Sequence, residues 1–220
     1  MTKRFEQYCP VAHALCLVGD RWSLLIVREL LHGSKRYTDL LQGLPGLGTN
    51  ILAKRLRDLE EAGVVAKSKL PPPAASTVYE LTDYGRELDE AFYALARWGA
   101  RSLGPPGPGD ELYAGWSLNA VAALFVPEAA RGVTETYVLN VEGEIFSIAL
   151  DDGHMQTSLG AAEDPAVTIE LDMPTFFRLN RGELPPRKAL KQGLVKVEGD
   201  RSAFERCFRI LSLAPRARAA

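Results

Sequence analysis

Residues that carry reaction chemistry are scarce in this chain of 220 residues, which has three cysteines and three histidines. An odd number of cysteines without close pairing does not make a disulfide framework. His13, His32 and His154 are scattered without metal-ligand spacing, so no metal site is expected. Gly-rich phosphate loops, an HExxH helix and a nucleophile elbow are all missing. The acidic pairs Glu60-Glu61, Asp89-Glu90 and Asp151-Asp152 are adjacent in sequence and point to different faces, which suits solvation better than an acid/base couple. Neither catalysis nor a cofactor is expected. Long apolar runs are missing too. The longest, "AVAALFV" at 120–126, is far too short to span a bilayer. The apolar stretch near the start is broken by His13, Gly19, Asp20 and Arg21, unlike a secretory signal. A cytoplasmic protein with reduced thiols and no membrane partner is the expectation. Charge of one sign is also lacking: 26 basic and 28 acidic side chains leave a net charge of −2. Overall charge therefore makes no case for nucleic acid, and only local clustering could.

What is present is enough chain for two domains. The clearest break is "GPPGPGD" at 104–110, where Pro105, Pro106 and Pro108 stop any helix. The expected organisation is a domain over 1–103, a linker over 104–110 and a second domain over 111–220. In the first, Val11, Leu15 and Val18 recur at helical spacing, and "RWSLLIVRELLHG" reads as a buried helix stopped by Gly33. "YTDLLQG" is a short helix with Leu40 and Leu41 inward. "LPGLG" is a turn, and the next helix ends at Gly63. "VVAKSKL" and "STVYELT" form a hairpin with a Pro-rich tip. Thr82 is placed to N-cap one long helix, "DYGRELDEAFYALARWGARS". The second domain reads as a helix, "GWSLNAVAALFV", then strands "TETYVLNV", "EIFSIAL" and "AVTIEL", with turns at Gly143 and Asp152-Gly153. The helices "MPTFFRLNRGE" and "PRKALKQG", the strand "LVKVEGD" and a closing helix "RSAFERCFRILSL" follow. Runs of strands then runs of helices predict an α+β fold.

The local charge cluster lies in "LGTNILAKRLRDLEEAG", residues 47–63. Projected at about 100° per residue, Leu52, Leu56 and Leu59 fall within about 60° of one another and define a buried side. Asn50, Lys54 and Arg57 fall opposite, with Thr49 on a flank. The acids Asp58, Glu60 and Glu61 gather in the last turns, against the preference of the helix dipole. A helix whose N-terminal half enters a major groove suits this order, since Asn and Lys read base edges while Thr and Arg hold phosphates. Two helices joined by a Gly-containing turn, followed at once by a hairpin with Lys67 and Lys69, make a winged helix-turn-helix. The candidate contacts to double-stranded operator DNA are Lys35, Arg36, Thr49, Asn50, Lys54, Arg57, Lys67 and Lys69.

Residues 9 to 99 resemble the HxlR-type family of bacterial winged-helix transcription regulators. The matching pieces are "CPVAHALCLVGDRWSLLIVRELLHG", "KRYTDLLQGLPGLGTNILAKRLRDLEEAGVV", "VYELTDYGREL" and "ARWG". The resemblance implies a homodimer built from the N-terminal helix and the helix bearing Leu88, Phe92, Leu95 and Trp98, bound to a near-palindromic operator. The chain departs from the family in its wing tip, "KLPPPAAST", which is Pro-rich where many members carry extra charge. Residues 114 to 213 are similar to the sterol-carrier-protein type of lipid-binding fold, on "VLNVEGEIFSIALDDG", "DPAVTIELDMPTFFRLNRGEL" and "ALKQGLVKVEGDRSAFERCF". This likeness implies a curved sheet covered by helices around an apolar tunnel. Trp116, Phe125, Phe146, Phe176, Phe177 and Phe208 are the aromatics available to line it; taken singly each reads more readily as core, and as a set they suit an apolar pocket.

Three functions follow. The first is a DNA-binding regulator whose operator affinity responds to a small apolar ligand. The second is a redox-sensing regulator switched by Cys9, which precedes Pro10 at a helix start where thiols are often reactive. Regulators of the resembled type sometimes sense oxidants near this position. Cys16 and Cys207 read as small buried hydrophobes. The third is a lipid carrier that uses its N-terminal half only to dimerise, a reading that the retained Asn50, Lys54 and Arg57 oppose.

Overall fold

The computed structural model describes residues 5–73, 75–104, 107, 109–110 and 114–213, without the side chains of 114, 115 and 117. Pro105, Pro106 and Pro108 of the expected linker lie outside the described residues. The chain divides into two compact units, Met1–Phe92 and Tyr93–Ala220. The division thus falls inside a helix, ahead of the Pro-rich segment.

In the first unit, α1 (Pro10–Val18) and α2 (Ser23–Leu30) lead into a two-residue strand, β1 (Lys35–Arg36). Then come α3 (Tyr37–Gln42), α4 (Thr49–Glu61) and the wing strands β2 (Val65–Lys69) and β3 (Thr77–Leu81). β1 was not expected. It pairs antiparallel with β3, giving a three-stranded sheet in the order β1-β3-β2. Ile26, Val27 and Leu30 of α2, Leu40 of α3 and Leu52, Leu56 and Leu59 of α4 close one core with Val64, Val65 and Leu81. Each fully buried leucine contributes roughly 1.5–3 kcal/mol, so the periodicity of α4 settles which side it presents outward. Leu41 is only half-buried.

The single helix expected after Thr82 is two helices, α5 (Asp83–Arg86) and α6 (Asp89–Ala100). Thr82 does cap: its hydroxyl accepts from the Gly85 N–H at 2.9 Å and donates to the Gly63 carbonyl at 2.6 Å. Gly85 lies so close to the chain at Val64 that a Cβ would collide with that carbonyl oxygen. This docking holds α5 against the end of α4. The backbone then tightens, with Leu88 N–H donating to Gly85 O, before α6 begins. α6 carries no buried residue.

In the second unit, α7 (Ala114–Leu124) and a short 3₁₀ turn precede β4 (Thr134–Val141), β5 (Glu144–Asp151), β6 (His154–Leu159) and β7 (Val167–Leu171). These are followed by α8 (Met173–Asn180), α9 (Pro186–Lys191), β8 (Val195–Gly199) and α10 (Arg201–Ile210). The sheet order is β6-β5-β4-β7-β8, with β4 and β7 parallel and the other neighbours antiparallel. Both hairpins turn where expected, through Glu142-Gly143 and Asp152-Gly153, all with positive φ as tight hairpins require. β6 was not read as a strand. It is an edge strand in which only Met155 and Thr157 are half-buried, so its sequence lacks an apolar face. Inside, Phe204, Phe208, Phe176, Tyr137 and Ile148 belong to one core. Asp172 caps α8 by accepting from Thr175 N–H, and Asp200 caps α10 by accepting from Ser202 N–H, each at 2.7 Å. No single helix among the described residues is long and apolar enough to cross a membrane.

Candidate nucleic-acid interface

The sequence of α4 places its three leucines inward, and the rest of the helix follows from that. Thr49, Asn50, Lys54 and Arg57 are all exposed, as are Arg36, Lys67 and Lys69. Each of these seven candidates is therefore open at the surface. Lys35 differs. It is half-buried, and its ammonium lies 2.7 Å from a carboxylate oxygen of Glu29, which is itself buried in α2. Arg28 grips the other carboxylate oxygen at 2.8 Å and donates to the Gly43 carbonyl at 3.2 Å. Burial lowers the Arg28 guanidinium from its usual range, and the adjacent Glu29 carboxylate opposes that. One buried carboxylate thus ties α2 to β1 and to the turn after α3. Lys35 serves this network, and Arg36 beside it faces outward.

Further residues not singled out from sequence position the helix. The Tyr37 hydroxyl donates to the Thr49 carbonyl at 2.6 Å, fixing the first turn of α4 to the start of α3. Arg55 pairs with Asp20 at 2.5 Å and with Asp58 at 2.8 Å, so one of the late acids of α4 neutralises a structural arginine. The i,i+3 spacing of Arg55 and Asp58 was the available signal. In the wing, Lys67 stands opposite Tyr79 across the β2–β3 ladder, its ammonium 5.8 Å from the ring centroid. That contact orients the lysine without removing its charge from solvent.

The thiols fall in two environments. Cys9 is the N-cap of α1, with Pro10 at the first helical position, and is half-buried. It shares a groove of about 740 Å³ with Phe5, Tyr8, His13 and Cys16. Cys16 is half-buried as well, where burial was expected; Cys207 is fully buried, which pushes its thiol up well beyond the usual range.

The aromatics proposed for a tunnel also divide. Phe146, Phe176 and Phe208 are covered by protein atoms, at 1%, 3% and 5% exposure. Phe176 meets Phe177 and Phe208 edge-on, with centroids 5.9 and 6.3 Å apart. Trp116, Phe125 and Phe177 are half-buried and retain surface to offer. Tyr137 belongs to the same core, and its hydroxyl donates to Glu135 at 2.8 Å, while Arg206 of α10 pairs with the same carboxylate at 2.5 Å. Burial raises the Tyr137 phenol, so Tyr137 is a donor at any physiological pH.

A recognition helix held by a helix-turn-helix core and flanked by a two-stranded wing defines a winged-helix DNA-binding class. Comparison with known proteins agrees. Residues 17–106 match the HxlR-like helix-turn-helix family, and residues 118–212 match the SCP-2 sterol transfer family. The chain is 33% identical over 105 residues to an HTH-type transcriptional regulator, YvaP, of Bacillus subtilis, spanning 48% of this chain and 92% of that protein. It is 37% identical over 92 residues to an HTH-type regulator of Synechocystis sp., spanning 42% and 68%. The solved reduced form of the transcriptional regulator YodB from B. subtilis is 31% identical, covers 47% of this chain and 100% of that one, and superposes with a TM-score of 0.40. This chain belongs to the HxlR-like helix-turn-helix family, and the part that follows is similar to the SCP-2 sterol transfer family.

Proposed function

We propose that the chain is a homodimeric DNA-binding transcription regulator whose operator affinity responds to a small apolar ligand in its C-terminal domain. The observation that carries the reading is the exposure of Thr49, Asn50, Lys54 and Arg57 on the side of α4 opposite three buried leucines. A helix needing only solvent would gain nothing from that set in its first half. Arg36, Lys67 and Lys69 extend the surface toward neighbouring phosphates. The dimer reading rests on α6, where Leu95 and Trp98 are 49% and 69% exposed and Phe92 is half-buried. Leu88, the fourth residue of the expected interface, is half-buried and packs against the N-terminal core. The ligand reading rests on the SCP-2 match and on the half-buried Trp116, Phe125 and Phe177. Phe125 and Phe177 pack against the core that contains Phe146, Phe176 and Phe208.

A second reading is favoured by one observation. Cys9 sits at the helix N-cap, half-buried, on a groove it shares with His13 and Cys16. In it, oxidation of Cys9 sets operator affinity and the C-terminal domain adds only stability. A gel shift of the full chain on the promoter beside its own gene, with oleic acid or with a thiol oxidant, separates the two. The ligand reading expects retardation that changes with oleic acid and survives Cys9→Ser. A response to oxidant alone, lost in Cys9→Ser, would replace it with the redox reading.

A further inference from the structure

The last turns of α6 are held by arginines whose partners lie far along the chain. Arg97 donates its guanidinium to two backbone carbonyls, those of Phe125 and Ser212, the latter at 3.0 Å. Phe125 follows α7 and Ser212 follows α10, and these two segments are stitched together. Phe125 bridges Leu211, Val126 N–H donates to Ile210 O at 2.8 Å, and Ser212 N–H donates to Leu124 O at 2.9 Å. Arg181, at the C-cap of α8, donates to the carbonyls of Ala100, at 3.2 Å, and Leu103. The carbonyls at a helix end have no partner within the helix, and Arg181 supplies a donor to the last one of α6, that of Ala100. Its guanidinium also lies 5.7 Å from the Phe177 ring centroid. Phe177 meets Phe176, Phe176 meets Phe208 and Phe208 meets Phe204, giving a continuous line of edge-on rings from α8 into α10.

Two of the three half-buried aromatics left to a ligand are therefore attached to α6. Arg97 holds the carbonyl of Phe125, and Arg181 lies against the ring of Phe177. We infer that Arg97 and Arg181 form a latch through which the C-terminal domain sets the position of α6, and so regulates DNA binding. This inference rests on the proposed function and adds the path by which the ligand acts. A ligand moving α7, α8 or α10 displaces carbonyls and guanidinium groups that α6 is bonded to. α6 bears Phe92, Leu95 and Trp98, the face proposed to meet the second subunit, and the spacing of two recognition helices on a palindrome follows from that face. Coupling requires that such a move have different energies in the two positions of α6. Forked, charge-assisted bonds to several carbonyls provide this because they are either made or broken as a set.

The test uses the full chain and perturbs the latch from each end, reading amide hydrogen exchange. Phe208→Ala, with Phe208→Leu as the milder form should the first fold poorly, loosens the aromatic line from within. It should speed exchange at residues 98–103 by about tenfold or more while α4 amides keep their protection. Arg97→Ala with Arg181→Ala should speed exchange at 124–126 and 210–213 to a similar degree. Operator affinity should shift about threefold or more with Phe208→Ala and should not shift with it once both arginines are gone. Loosening of 210–213 without any change at 98–103 would overturn the latch. So would an unchanged operator affinity in a protein that does bind DNA. Should no variant nor the wild type bind the operator, the regulator reading fails, and the exchange rates alone still decide whether the latch couples these segments.

Discussion

Lys54 and Arg55 are neighbours on α4 with opposite fates. The guanidinium of Arg55 is committed to Asp20 and Asp58 and is largely covered, whereas Lys54 is exposed with the set proposed to face DNA. Arg55→Ala should accordingly cost stability, about 1.5–3 kcal/mol for hydrogen bonds to charged groups, seen as a lower melting temperature. Lys54→Ala should leave the melting temperature unchanged. Asn50→Ala belongs with Lys54: it should relax preference at one base position, at a cost of roughly 1–3 kcal/mol, measured by binding to operators varied one base at a time. The cysteines differ in the same way. Iodoacetamide near pH 7 should alkylate Cys9 in the native protein, while Cys207, buried with its thiol pushed up, should react only on unfolding. Peptide mass analysis over time reads both. Equal rates at Cys9 and Cys207 would leave Cys9 a structural residue.

At the scale of elements, the leucine spacing of α4 and the turns at Glu142-Gly143 and Asp152-Gly153 were legible, because local periodicity and turn chemistry determine them. β6 was not legible although its turn was, since an edge strand with two half-buried residues carries no alternating apolar signal. The break between α5 and α6 was hidden for another reason. "DYGRELDEAF" contains no proline, and the break depends on Gly85 lying against Val64, a contact made only in the fold. Gly85→Ala should therefore destabilise the first unit by about 1–3 kcal/mol through overpacking, which urea unfolding would register as a lower midpoint. The outward stripe of α4 was readable, but the diversion of Lys35 to Glu29 was not. Nothing in "SLLIVREL" discloses that its glutamate is buried and must be neutralised. α6 carries the apolar Leu95 and Trp98 on its exposed surface, and a soluble chain tends to cover such a stripe. Trp98→Asp should yield a monomer by sedimentation and weaken operator binding. A dimeric Trp98→Asp protein would place the interface elsewhere.

Over the whole molecule, the HxlR-like part at residues 17–106 is followed by a second domain with its own core. If that domain binds an apolar compound, oleic acid should raise its melting temperature by mass action, and Phe177→Asp should remove the rise. Both effects are secondary to the central claim, that α4 faces DNA. The measurement that bears on it most directly is operator affinity of the full chain across a salt series, for wild type, Lys54→Ala and Arg57→Ala. The account predicts weaker binding in each variant and a salt dependence shallower by about one unit for each phosphate no longer neutralised, with melting temperatures unchanged. Affinity and salt slope identical to wild type in both variants would contradict it.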